Sequence, residues 1–125
     1  IDLVTLRQFA LKSFYLRDDF TLLHTVTGCH AFSIILPFLP DEKIALRELW
    51  KAILVAYLST GLAYKDERVR IQQSDIDFNL VRKKALTSEE SHVIKLVYSC
   101  QSEYRRTKNH LYYQVACRVA FNHCL

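Results

Sequence analysis

The chain predicts an all-α fold, a bundle of about five helices joined by one long charged loop. Three observations carry that expectation. Half of the 125 residues are apolar, enough chain and enough oil for a core in a single α-helical domain spanning 1–125. Only two glycines and two prolines occur, too few for a turn-rich all-β fold. Apolar side chains recur at helical spacing, and cap residues punctuate them.

Between Leu3 and Leu16, apolar residues at 3, 6, 10 and 14, with Phe9 beside them, give the first helix. Arg17-Asp18-Asp19 breaks it, and either aspartate can cap the next, from about Phe20 to Phe38. Gly28 lies inside that second helix at a cost of about 1 kcal/mol against alanine, so a packing reason or a close backbone approach is expected there. Pro37 and Pro40 end the segment. Asp41 caps a third helix that runs to about Thr60, with a wide apolar face on which Leu49, Trp50 and Ile53 are expected to be buried, and Gly61 closes it.

From Lys65 to Leu86 the chain is polar and charged, with isolated apolar residues. It reads as a long surface excursion with room for one short helix, and as the most mobile part of the chain. Thr87-Ser88-Glu89-Glu90 matches a capping box, with Thr87 as cap of a helix to about Arg106 in which Ile94 and Val97 are buried. After Lys108-Asn109 a last helix runs from His110 to the end.

The net charge of +4 is too small and too scattered for a nucleic-acid footprint, and no nucleic-acid partner is expected. No apolar run is expected to reach membrane-spanning length, because charges interrupt each one, so no membrane partner is expected either. Nor do the first residues have the order of a signal peptide. Four cysteines, Cys29, Cys100, Cys117 and Cys124, lack metal-finger spacing and read as free thiols of a cytoplasmic protein. On one continuous helix Cys117 and Cys124 lie too far apart to bridge. A start at Ile1 with no methionine anywhere reads as the C-terminal part of a longer protein, whose remainder would then be a partner.

Two histidines in an oily stretch stand out, in Leu23-His24-Thr25-Val26-Thr27-Gly28-Cys29-His30-Ala31-Phe32. A buried imidazole needs a partner for each ring nitrogen. On a straight helix His24 and His30 lie roughly 120° apart, and a bend at Gly28 would let them flank one pocket. His92 and Lys95 lie about 60° apart on a later helix, where Lys95 is expected to face a packed interior. Such nitrogens can make a metal site, or they can be hydrogen-bonded core histidines beside a lysine that reaches water. His110, at a polar corner, and the near-terminal His123 read as exposed. Neither a zinc HExxH motif, a nucleophile elbow nor a glycine-rich phosphate loop is present.

These residues resemble the questin oxidase-like family: His24-Thr25-Val26-Thr27-Gly28-Cys29-His30, then Ile35-Leu36-Pro37-Phe38-Leu39, a helix around Trp50, and Ser91-His92-Val93-Ile94-Lys95-Leu96 followed by Cys100 and Glu103-Tyr104. The family includes fungal oxygenases that open the ring of anthraquinones such as questin. The resemblance implies a metal-dependent oxidoreductase acting on a small aromatic, polyketide-like substrate placed near Phe32 and Tyr98, with an electron donor that sequence does not identify. It also implies non-haem iron held by His24, His30, His92 and a carboxylated Lys95. Burial would favour the neutral lysine that takes up CO₂, and the resulting carbamate oxygen would complement imidazole at iron. The alternative is a non-catalytic helical binding or assembly domain that keeps the family scaffold.

Overall fold

In this computed structural model, which describes residues 1–72 and 75–122 (Asn122 without its side chain), the elements are helical, and no strand occurs among the described residues. They are α1 (Leu3–Arg17), α2 (Phe20–Ile35) with a 3₁₀ turn at Leu36–Phe38, α3 (Glu42–Ser59), α4 (Phe78–Ala85), α5 (Ser91–Thr107) and α6 (Leu111–Asn122). The all-α expectation holds, with α4 as a sixth helix inside the charged stretch. The chain divides into two compact units, Ile1–Arg68 and Val69–Leu125.

In the first unit α2 packs on both α1 and α3. Each helix start is set by an aspartate. Asp2 accepts from the Thr5 N–H at 2.8 Å, Asp19 from those of Thr21 and Leu22 at 2.8 and 3.1 Å, and Asp41 from that of Ile44 at 3.1 Å. The Asp18-Asp19 pair divides its work: Asp18 takes the left-handed conformation and returns its N–H to Phe14 O, closing α1, while Asp19 opens α2. Leu6, Ala10, Cys29, Leu46 and Ile53 form the core cluster, flanked by Leu3, Phe9, Phe32, Leu36, Leu49 and Trp50. Ile53 is buried as expected, but Leu49 and Trp50 are only half-buried. Pro37 converts the end of α2 into the 3₁₀ turn, and Gly61, at φ +70°, follows α3.

One expectation about this unit fails. The stretch Phe20–Phe38 is long and apolar enough to cross a membrane by length and composition, for its 19 residues hold no Asp, Glu, Lys or Arg. It is also the helix that carries the core residue Cys29 between α1 and α3.

The second unit packs α4, α5 and α6 against one another. Phe78, Val81 and Ala85 bury one face of α4, and Phe78 meets Tyr104 and Tyr113 at ring distances of 5.5 and 5.1 Å. The charged stretch is therefore anchored at its end. Before α4, the N–H of Gln72 donates to Gln114 Oε1 at 2.6 Å, and Gln114 Nε2 donates to Arg70 O at 3.3 Å. In the first unit, Arg17 donates to Ala63 O and Lys12 pairs with Asp66 at 3.5 Å.

The cap of α5 also differs. Its N-cap is Glu90, whose carboxylate accepts from the His92 N–H at 3.1 Å, while Thr87 Oγ1 donates backwards to Lys84 O at 2.6 Å and finishes α4. The T-x-x-E pattern spans the junction of two helices instead of opening one. Val97 is buried as expected, but Ile94 is exposed, because the core stripe of α5 runs through Val93, Leu96, Val97 and Cys100. His123 and Cys124 lie outside the described residues.

Candidate functional site

A cleft of about 150 Å³ opens between α2 and α3, lined by His24, Thr25, Gly28, Leu49, Ala52, Ile53 and Ala56. Its origin is the small residues. Gly28 on α2 sits beside Ala52 and Ala56 on α3, and a Cβ built on Gly28 would meet nothing within 4 Å. The expectation of a close approach at Gly28 is thus reversed: the missing side chain leaves open space. Thr25 adds no polarity, since its hydroxyl donates to Leu22 O at 2.7 Å. The wall is apolar, and His24 is its one ionisable member.

His24 is exposed and held in orientation. Its Nδ1–H donates to Phe20 O at 2.9 Å, and its ring meets that of Phe20 edge-on at 5.0 Å. In the neutral ring this places the lone pair on Nε2. His30 lies on the same uninterrupted helix, is buried, and does not line the cleft. Its carbonyl accepts from Ser33 Oγ at 2.6 Å. No bend at Gly28 brings the two rings to one pocket, because α2 is continuous through it.

In the second unit, His92 Nδ1–H donates to Glu90 Oε1 at 2.6 Å. The hydrogen bonds from the side chain and then the backbone of His92 hold the Glu90 carboxyl below its ordinary value. Lys95 is exposed, which corrects the expectation that it faces a packed interior: it lies well round α5 from the Val93–Leu96–Cys100 stripe. The dry surroundings on which the carboxylated-lysine expectation rests are not supplied there. His110 is half-buried, edge-on to Tyr104 at 5.8 Å, where exposure was expected. Tyr98 is exposed, and Phe32 packs against the core cluster of its own unit; neither lines the cleft.

As metal donors the four residues divide. A ring nitrogen tied to a carbonyl or carboxylate is the usual outer-shell arrangement of a ligating histidine, and both His24 and His92 have it. His30, which does not line the cleft, and the exposed Lys95 do not fit by their surroundings. Among the described residues no three or more of His, Cys, Asp and Glu gather into a group that could hold an ion.

Fold and site together define a helical protein with an apolar cleft and one oriented imidazole at its side. Residues 8–100 match the family model described as questin oxidase-like. The chain belongs to the questin oxidase-like family. No curated protein matches it. No solved structure does either.

The cleft residues of α3 were not found from sequence. Leu49 and Ile53 share the apolar face of that helix, and nothing in the spacing of Ala52 and Ala56 marks them as a gap.

Proposed function

We propose that this protein is an oxidoreductase, an oxygenase of the questin oxidase type that acts on a flat aromatic, polyketide-like substrate gripped at the α2/α3 cleft. The observation that carries the reading is the position of His24, beside an apolar cleft inside the family-matched stretch. Ligand pockets that enclose a drug-sized molecule measure roughly 300–1,000 Å³. At about 150 Å³, this cleft takes the edge of one ring and leaves the rest of a fused system outside it. Leu49 and Ile53 supply apolar contact, and Gly28, Ala52 and Ala56 leave the room. With Nδ1 tied to Phe20 O, the neutral imidazole of His24 would accept a hydrogen bond at Nε2 from a phenolic hydroxyl, or receive its proton.

The iron set that the resemblance implies, His24, His30, His92 and Lys95, enters this reading only in part, since the surroundings of His30 and Lys95 do not suit a ligand. The oriented rings of His24 and His92 are the members that support it, and bound iron would supply the activation of dioxygen. The test is to measure dioxygen uptake and iron content in the purified protein with an added anthraquinone, and in His24→Ala, His30→Ala, His92→Ala and Lys95→Ala. Uptake that depends on the anthraquinone and falls in His24→Ala supports the reading. No uptake, with iron content equal in all five proteins, overturns it.

A further inference from the structure

The outward side of α3 carries a stripe with a second periodicity. Ile44, Glu48, Lys51, Val55 and Leu58 follow one another at intervals of four, three, four and three residues, the spacing of a seam between paired helices. The three apolar members are 52%, 66% and 76% exposed, in the order of the chain. They lie opposite Leu46, Ile53 and Tyr57, which face the core. The stripe spans about 21 Å at 1.5 Å per residue. Between its apolar ends sits one ion pair, Lys51 Nζ to Glu48 Oε1 at 3.0 Å, with both side chains well exposed. Just before α3, Phe38 is 85% exposed, and Leu39 is also exposed.

We propose that this stripe pairs antiparallel with the same stripe of a second copy of the chain, across a two-fold axis between Glu48 and Lys51. The charges choose the arrangement. With the axis midway between these two residues, Glu48 of each copy lies opposite Lys51 of the other, and Ile44 lies opposite Val55. A parallel pairing would set Glu48 against Glu48 and Lys51 against Lys51. An antiparallel pairing centred on Lys51, which would match Ile44 to Leu58, brings the two ammonium groups together. Like charges in direct opposition penalise both alternatives. A two-fold interface needs a patch complementary to itself, and the stripe from Ile44 to Val55 is one, with Leu58 at its margin opposite Asp41. The inference stands apart from the oxidoreductase reading, since the cleft opens on another side of α3.

Sedimentation equilibrium of the purified protein over a range of concentrations, with circular dichroism as the control for folding, tests it. The wild type is expected to dimerise. Val55→Glu is expected to weaken the dimer by about tenfold or more with unchanged helicity, its side chain being outside the core. Glu48→Lys and Lys51→Glu should each weaken it, and the double reversal should restore it. A wild type that stays monomeric throughout overturns the proposal, whether or not it binds lipid vesicles through the apolar residues. So does a dimer that Val55→Glu leaves intact, or one that the single and double reversals affect alike.

Discussion

His24 is fixed by Phe20, one helical turn before it: the ring nitrogen donates to the Phe20 carbonyl at 2.9 Å while the two rings meet at 81°. A surface histidine without such ties would sample several rotamers. Here both the hydrogen bond and the edge-on contact orient the imidazole. Phe20→Ala removes the ring contact and keeps the carbonyl, so it should loosen His24 without abolishing its tautomer preference. The histidine side-chain resonances should broaden or shift in the NMR spectrum of that variant, and an unchanged spectrum would refute the ring's role.

The open space at Gly28 makes a stability test with a sign. Gly28→Ala should stabilise the protein by roughly 0.5–1 kcal/mol, since alanine is the better helix former and its methyl meets no neighbour. Chemical denaturation would show the gain. A loss would mean that the glycine serves close packing after all.

Neighbouring residues on α5 should respond very differently to truncation. Leu96 is fully buried and Ile94 is exposed. Leu96→Ala should cost about 2–5 kcal/mol. Ile94→Ala, away from the core stripe, should stay within about 0.5 kcal/mol of wild type. Equal losses in urea denaturation would show that the core face of α5 is misassigned.

The cap of α5 should give the fold an acid-sensitive edge. Hydrogen bonds from His92 depress the Glu90 carboxyl in the folded chain. Its contribution is therefore complete above the ordinary carboxylate range and is lost as pH falls through the lower folded value. Glu90→Gln should be less stable than wild type at neutral pH and should lose less stability on acidification. Parallel pH profiles for the two proteins would contradict this.

Thiol chemistry should separate the cysteines. Burial, then the neighbouring Glu103 and Cys117, push the Cys100 thiol far above its ordinary value, and the thiolate is the reactive form. Cys100 should resist alkylation in the native protein and react on unfolding, as peptide mass mapping would record. Rapid native labelling would place it at the surface.

Much of the fold was legible because local signals were strong and unopposed. Asp19 and Asp41 each sit before a helical run and each caps it. Phe78, Val81 and Ala85 were harder: only three buried side chains secure α4, in a segment whose charges dominate any composition window. Thr87 misled because the pattern T-x-x-E fits a helix start, while α4 ends at Ala85, with the Thr87 hydroxyl tied back to Lys84 O, and the next helix begins at Ser91. For the site, sequence singled out His24 as an imidazole in an oily helix. It could not reveal the cleft beside it, because Gly28, Ala52 and Ala56 create space only once α2 and α3 are packed. Lys95 was misplaced because the core stripe of α5 runs through Val93, Leu96, Val97 and Cys100, which leaves Lys95 on the exposed face.

The most direct test of the account is anthraquinone-dependent dioxygen uptake in a protein whose cleft has been filled. Ala52 lines the cleft but is itself exposed, so Ala52→Leu can block the space without entering the core. The account expects turnover in the wild type, and in Ala52→Leu a raised KM for the anthraquinone with folding intact by circular dichroism. Wild-type turnover that Ala52→Leu and His24→Ala both leave unchanged would contradict it.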